Sequence, residues 1–336
     1  MKKGTIRVGV IGVGKMGERH VHIYQQLPGV EVVAIADVNP SRVDEVASKY
    51  NISKGYTNYE KLLQSQEVDA VTIATPDAEH KAPALASAEA RKHILLEKPI
   101  ATNLEDAKEI IAAARKNKVI LMVGYIARYF PQFKDIKRML DQGKIGKPLF
   151  ADFLWLNALR RYPDDYGKEL PPRRDSIITF LATHPVDLIR WYFGDVRRVY
   201  CEADTFTWGR GANGPEDTSV ISLRFKEGQL GQIAVCWGFG GTPYTARFTA
   251  TIIGDEGAIH SDSLNDGLIV TSAREGYELP IHYDWKEALR AELCDFLDAV
   301  RKNVTPPISG EDAMKVLEIT LAAIESMKSQ SPVELF

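Results

Sequence analysis

Thr5-Ile6-Arg7-Val8-Gly9-Val10-Ile11-Gly12-Val13-Gly14-Lys15-Met16-Gly17 carries an apolar run straight into glycines spaced G-x-G-x-x-G. The run reads as a strand and the residues after it as a helix. Gly12 is expected to turn tightly off the strand, Gly14 to admit a pyrophosphate to the backbone, and Gly17 to let the helix pack on the sheet. Val13, Lys15 and Met16 lie in the same turn, where a helix N-terminus offers N–H groups and a positive dipole to phosphate. The next apolar run, 30–36, ends in Asp37. That is about twenty residues beyond Gly17, where an acidic residue meets a ribose 2′-OH. The bland alternative is a ligand-free strand–helix turn with a surface aspartate. The combined context disfavours it, and a dinucleotide is expected here.

Working outward, the 336 residues suffice for about two domains. Apolar residues make up 45% and charged residues 26%, which places the chain among ordinary globular proteins. A net charge of −3 argues against a general nucleic-acid or anionic-membrane binder. No apolar run is long enough to span a bilayer. Met1-Lys2-Lys3 is basic, but the glycine turn cuts short the apolar run after it, so no signal peptide is expected. Cys201, Cys236 and Cys294 are scattered, which fits a cytoplasmic protein. No cluster of His, Cys, Asp and Glu has metal-site spacing, so no metal is expected.

Residues 1–125 alternate strand-like runs (6–11, 30–36, 68–74, 93–96, 119–123) with amphipathic stretches (40–50, 78–91, 104–116). Asn103 is placed to cap the last of these. This predicts a doubly wound parallel sheet, a Rossmann domain, with its ligand at the carboxyl ends of the strands. From 126 to 336 the pattern changes. A helix is expected over 132–142, closed by Gly143, then strands at 149–157, 196–206, 219–225, 229–237, 247–253 and 268–272. Helices are expected over 178–193, 287–302 and 311–328. This predicts an α+β domain with a predominantly antiparallel open sheet, whose last helix has the option of packing back on the first domain. Residues 160–174, rich in Pro, charge and Tyr, read as a lid loop.

Three constellations carry chemistry. Glu97-Lys98-Pro99 follows the strand at 93–96, where an α/β sheet places its ligand. Lys98 there suits hydrogen bonding to a substrate hydroxyl beside the cofactor, against the alternative of a solvated turn. Thr183-His184-Pro185-Val186-Asp187 puts His184 and Asp187 on one helical face, an acid/base pair or a satisfied core histidine. Ala74-Thr75-Pro76 with His80 sits at a strand–helix junction, with Thr75 and His80 lining the nucleotide groove or His80 capping locally.

Together these residues resemble the Gfo/Idh/MocA family, the glucose–fructose oxidoreductase and inositol dehydrogenase group. The resemblance runs nearly end to end. It takes in 9–20, 74–80, 95–101 with Glu-Lys-Pro, 128–131, 143–146, His184-x-x-Asp187 with Trp191 and Gly194, 253–257 and 309–313. It implies reversible oxidation of a secondary alcohol on a sugar, cyclitol or related polyol, with NAD as cofactor and NADP as the alternative. It implies Lys98 and His184 as catalytic residues and Asp187 holding a neighbouring hydroxyl. Gly12, Gly14, Gly17, Asp37, Thr75, Pro76, Glu97 and Lys98 would line the cofactor site, with Ala74, His80 and Arg42 nearby. Tyr125, Arg128, Trp155 and Asn157 are the first candidates for the substrate pocket, followed by Tyr162, Trp237 and Tyr244. The two catalytic residues belong to different expected domains, which implies a catalytic cleft between them. The resemblance further implies a homodimer or homotetramer through the second domain's sheet.

The chain departs from many relatives at Phe180, where they carry an aspartate four residues before the histidine. Asp175-Ser176 stands where they carry Gly-Gly. A lysine–aspartate–histidine triad is therefore not transferred whole. An NADP-dependent ketosugar or dicarbonyl reductase and a non-catalytic dinucleotide sensor stay open. Asp37 opposes a 2′-phosphate, Arg42 would soften that opposition, and Lys98 with His184 favours catalysis.

Overall fold

The computed structural model describes residues 4–158, 176–206, 216–239, 246–263, 267–272, 276–280 and 284–335. The expected lid at 160–174, Asp175, Tyr162 and Tyr244 lie outside them. The chain divides into two compact units, one running to Tyr129 and including Trp285–Leu317, the other comprising Phe130–Asp284 and the chain from Glu318 on.

In the first unit six parallel strands stand in the order β3-β2-β1-β4-β5-β6. They are β1 (Ile6–Ile11), β2 (Val30–Ala36), β3 (Gly55–Tyr56), β4 (Ala70–Ile73), β5 (His93–Glu97) and β6 (Leu121–Gly124). The connecting helices are α1 (Lys15–Tyr24), α2 (Pro40–Tyr50), α3 (Tyr59–Leu63), α4 (Lys81–Glu89) and α5 (Leu104–Asn117). β4 and β6 are buried throughout, as expected of parallel strands covered on both faces. Side chains of Asn39, Asn58 and Asn103 accept backbone N–H bonds at the starts of α2, α3 and α5. The chain winds outward from β1 to β3 and then crosses to β4. The crevice at that reversal opens at the carboxyl ends of β1 and β4.

α9 (Trp285–Lys302), expected within the second domain, belongs to the first unit. Leu289, Leu293, Phe296 and Leu297 recur at helical spacing and join Ile6, Val8, Tyr24 and Leu95 in one core. The unit boundary then falls inside α10 (Gly310–Ser329).

The second unit holds a mixed sheet of nine strands in the order β14-β13-β12-β11-β7-β10-β9-β8-β15. These are β7 (Pro148–Ala158), β8 (Val196–Asp204), β9 (Thr218–Phe225), β10 (Leu230–Phe239), β11 (Ala246–Gly254), β12 (Gly257–Asp262), β13 (Gly267–Ser272), β14 (Gly276–Pro280) and β15 (Val333–Glu334). All neighbouring pairs are antiparallel except β7 with β10. On the covered face Phe153, Ile221, Leu223, Ile233, Ala250 and Ile252 are buried. α6 (Pro131–Asp141), α7 (Ile177–Phe180) and α8 (Thr183–Phe193) belong to this unit. The single helix expected over 178–193 is two helices. Pro185 has no N–H for the carbonyl of Leu181, which His184 N–H meets instead at 3.4 Å.

Candidate functional site

At the carboxyl ends of β1, β2 and β4 lies a groove of about 710 Å³, lined by Gly12, Gly14, Asp37, Val38, Tyr59, Thr75 and Pro76 among others. Gly12 has φ 80°, and a Cβ there would come within 2.7 Å of the Ala74 carbonyl oxygen. A Cβ on Gly17 would overlap the Gly12 carbonyl, so only glycine lets α1 start this close to β1. Gly14 meets nothing: the space beside its Cα is open. It is the N-cap of α1, and its lack of a side chain leaves the first amides of the helix uncovered. Open backbone at a helix N-terminus that lines this groove fits the pyrophosphate of a dinucleotide.

Asp37 completes the fit. Its Oδ2 accepts the Val13 N–H at 2.8 Å and its Oδ1 accepts the Asn39 N–H at 2.9 Å. The two bonds fix the carboxylate, and each oxygen keeps lone-pair capacity for a ribose hydroxyl. Arg42, expected beside the cofactor, is otherwise engaged. Its Nε donates to the Val13 carbonyl at 2.7 Å, Nη1 donates to Glu45 at 2.7 Å, and Nη2 donates to Glu18. Lys15 is exposed and Met16 is half-buried against the core. Val38, Thr57 and Tyr59 also line the groove and carry no sequence signal, although Val38, 90% exposed straight after a buried strand, is the oddity that marks it.

The end of β5 holds the second cluster. Glu97 Oε1 lies 3.0 Å from Nε2 of the fully buried His20, and Glu97 Oε2 accepts the Lys98 N–H at 3.3 Å. Burial pushes the Glu97 carboxyl up, but His20, with the charges of Lys98 and His80, outweighs that and holds it below the usual carboxylate range. Its strand partner on β6 is Gly124. His80 is buried behind the groove rather than lining it. Its Nδ1 lies 2.8 Å from the Pro99 carbonyl and its Nε2 lies 3.0 Å from that of Thr75, which ties the Thr75 junction to the Glu-Lys-Pro turn. Burial pushes this imidazole below its ordinary pKa, against the raising effect of the two carbonyls. Lys98 itself is half-buried. Tyr125 and Arg128, which follow β6, are buried in the same unit, and Arg128 Nη1 lies 3.5 Å from the Pro307 carbonyl.

In the second unit His184, half-buried near the start of α8, stacks on Trp155 of β7, with ring centroids 5.7 Å apart and planes at 17°. Trp155 also stacks on Phe133 at 6.0 Å. Asp187, one helical turn beyond His184, is fully buried. Asn157 lies two residues along β7 from Trp155, and its buried Oδ1 has no hydrogen-bond partner among the described residues. Phe180 stacks on Trp237 at 5.1 Å and 22°. The residue that stands where relatives carry aspartate is thus part of an aromatic pair. Among the described residues no group of three His, Cys, Asp or Glu is arranged to hold a metal, and no helix is long and apolar enough to cross a membrane.

Comparison with known proteins agrees with the fold. Residues 6–125 match the model of an oxidoreductase family with an NAD-binding Rossmann fold, and residues 133–260 match a GFO/IDH/MocA C-terminal domain. The myo-inositol 2-dehydrogenase of Thermotoga maritima is 29% identical, covering 98% of both chains. The crystal structure of a probable dehydrogenase from Thermotoga maritima superposes with a TM-score of 0.84 at 27% identity, over 98% of each chain. Levoglucosan dehydrogenase, solved with NADH and levoglucosan, shares the fold with a TM-score of 0.88 at 24% identity, covering 98% of this chain and 99% of that one.

Proposed function

From the premise that the chain belongs to the Gfo/Idh/MocA family of oxidoreductases, we propose that it is an NAD-dependent dehydrogenase of a sugar, cyclitol or related polyol, working in the cytoplasm. The observation that carries the reading is the fixed Asp37 carboxylate in a groove lined by the open Gly14 backbone. Two relatives support a polyol substrate, the Thermotoga maritima inositol dehydrogenase by its name and levoglucosan dehydrogenase by its bound ligand.

Held by the Gly14 backbone and Asp37, NAD would supply the hydride acceptor for the carbinol carbon. The chain's own residues manage the rest. Glu97 fixes the backbone of Lys98, whose ammonium binds and polarises the substrate hydroxyl. His184, oriented by its stack on Trp155, takes the hydroxyl proton. An imidazole with a reference pKa of about 6.5 is better matched to that task than a lysine near 10.4. Asp187 and the Asn157 Oδ1, which is without a partner among the described residues, are proposed to receive neighbouring hydroxyls. Phe180 on Trp237 offers no carboxylate, which favours substrates with a C–H face over fully hydroxylated ones at that position.

The test is NAD reduction across a panel of inositols, sugars, anhydrosugars and sugar acids, with NADP in parallel. Turnover with at least one cyclic polyol and NAD is expected. Cofactor binding without turnover on any member would replace this reading with that of a dinucleotide sensor.

A further inference from the structure

Arg42 and Asp37 grip the two ends of one residue. Asp37 takes the Val13 N–H, and Arg42 Nε donates to the Val13 carbonyl. A guanidinium at that corner would ordinarily suit a ribose 2′-phosphate, because planar paired donors match phosphate oxygens. Here it is spent. Glu18, the residue after the last fingerprint glycine, takes Nη2, and Glu45 takes Nη1. Glu18 is itself held by Lys49 Nζ at 2.7 Å and by the Tyr50 hydroxyl at 3.2 Å, so three donors from α2 meet one carboxylate on α1. Both Glu18 and Arg42 are only about one-fifth exposed, and Arg42 does not line the groove.

We propose that Glu18 is a specificity-determining residue for the cofactor: it withholds Arg42 from a 2′-phosphate, so that discrimination against NADP rests on two carboxylates rather than on Asp37 alone. Asp37 repels the phosphate, and Glu18 removes the cation that would compensate. The inference rests on the NAD reading proposed for this site.

The experiment measures NADH and NADPH dissociation constants by ligand fluorescence on the full chain. The variants are wild type, Asp37→Ser, and Asp37→Ser combined with Glu18→Gln, with Arg42→Ala, or with both. Glu18→Gln on the Asp37→Ser background should tighten NADPH about tenfold, the worth of one freed charge-assisted contact, with NADH changing less than about threefold. Arg42→Ala should erase that gain, yet leave NADPH affinity within about twofold on the Asp37→Ser background where Glu18 is intact. A missing gain, or a gain that survives Arg42→Ala, overturns the proposal. Should the Glu18→Gln variants fail to fold, Asp37→Ser with Arg42→Ala decides by itself. Unchanged NADPH affinity supports the proposal, and a loss of about tenfold shows Arg42 already available and overturns it. A wild-type chain that prefers NADPH overturns the NAD reading and this inference together. Failure of the inference alone leaves a wild type that prefers NADH.

Discussion

At His184 the ring is aligned by an aromatic stack rather than by a carboxylate at residue 180, so its orientation depends on Trp155. His184→Ala should lower kcat by roughly 10²–10⁴-fold, the usual worth of a positioned acid–base group, with NADH affinity unchanged. Stopped-flow turnover beside cofactor titration separates the two effects, and near wild-type kcat would move the base role elsewhere. Asp37→Ala should weaken NADH at least about tenfold, since the two charge-assisted ribose contacts proposed for it go with it. The same substitution should leave NADPH equal or tighter, and loss of both cofactors alike would signal a folding defect instead. Lys98 and Asp37 are legible in the sequence because each follows a strand directly. The His20–Glu97 pair is not, since its partners lie 77 residues apart and only the crossover from α1 to β5 brings them together.

Elements show where local sequence rules reach and where they stop. Strands β1 and β2 end where the apolar runs end: beyond Arg7 and Glu31 near their starts, both strands are apolar and mostly buried up to their carboxyl ends. The stretch 178–193 reads as one helix because its apolar periodicity runs through Pro185, whose missing N–H breaks the ladder. Strands β12 and β14, which join the sheet beside β11 and β13, escape the sequence reading because β12 buries polar Ser261 and Asp262 and β14 has only three residues between Gly276 and Pro280. The link between α1 and α2 carries a pH prediction. Burial alone would raise the Glu18 carboxyl, but bonds from Lys49 and Arg42 outweigh it and lower it from 4.5 to about 2. A carboxyl depressed in the folded state stabilises fully above its unfolded pKa and loses that stability as pH falls from about 4.5 towards 2. The contribution is on the order of 1–3 kcal/mol. Urea denaturation of wild type and Glu18→Gln at pH 6 and pH 3 should show the difference between them shrinking at the lower pH. A constant difference would mean that Glu18 contributes by packing rather than charge. Gly17→Ala should cost more than an ordinary helix substitution gains, because its methyl meets the Gly12 carbonyl, and thermal melting reads the loss.

For the molecule as a whole, the unfinished surface is the outer face of the nine-stranded sheet. Side chains alternate along its strands, so the residues opposite the buried set point outward. Val220 on β9, Leu230 on β10, Ile253 on β11 and Ile269 on β13 are all exposed large apolar residues. Leu230 and Ile253 flank Phe150 in one row across β10, β7 and β11, with Val220 and Ile269 in other rows of the same face, and soluble monomers rarely leave large apolar patches open to water. We therefore propose that copies of this chain associate through this face, as the family resemblance implies. Replacing one central residue with a charge places an unpaired ion in the buried core of such an interface, which costs several kcal/mol per contact. A symmetric interface repeats the cost on both copies. Ile253→Lys combined with Leu230→Lys should therefore convert a dimer or tetramer into monomers in sedimentation velocity at micromolar concentration. Melting of the double variant should remain cooperative, because both side chains already face outward. A wild-type chain that sediments as a monomer, or a double variant that keeps its assembly, would place the association elsewhere and leave this face to another partner.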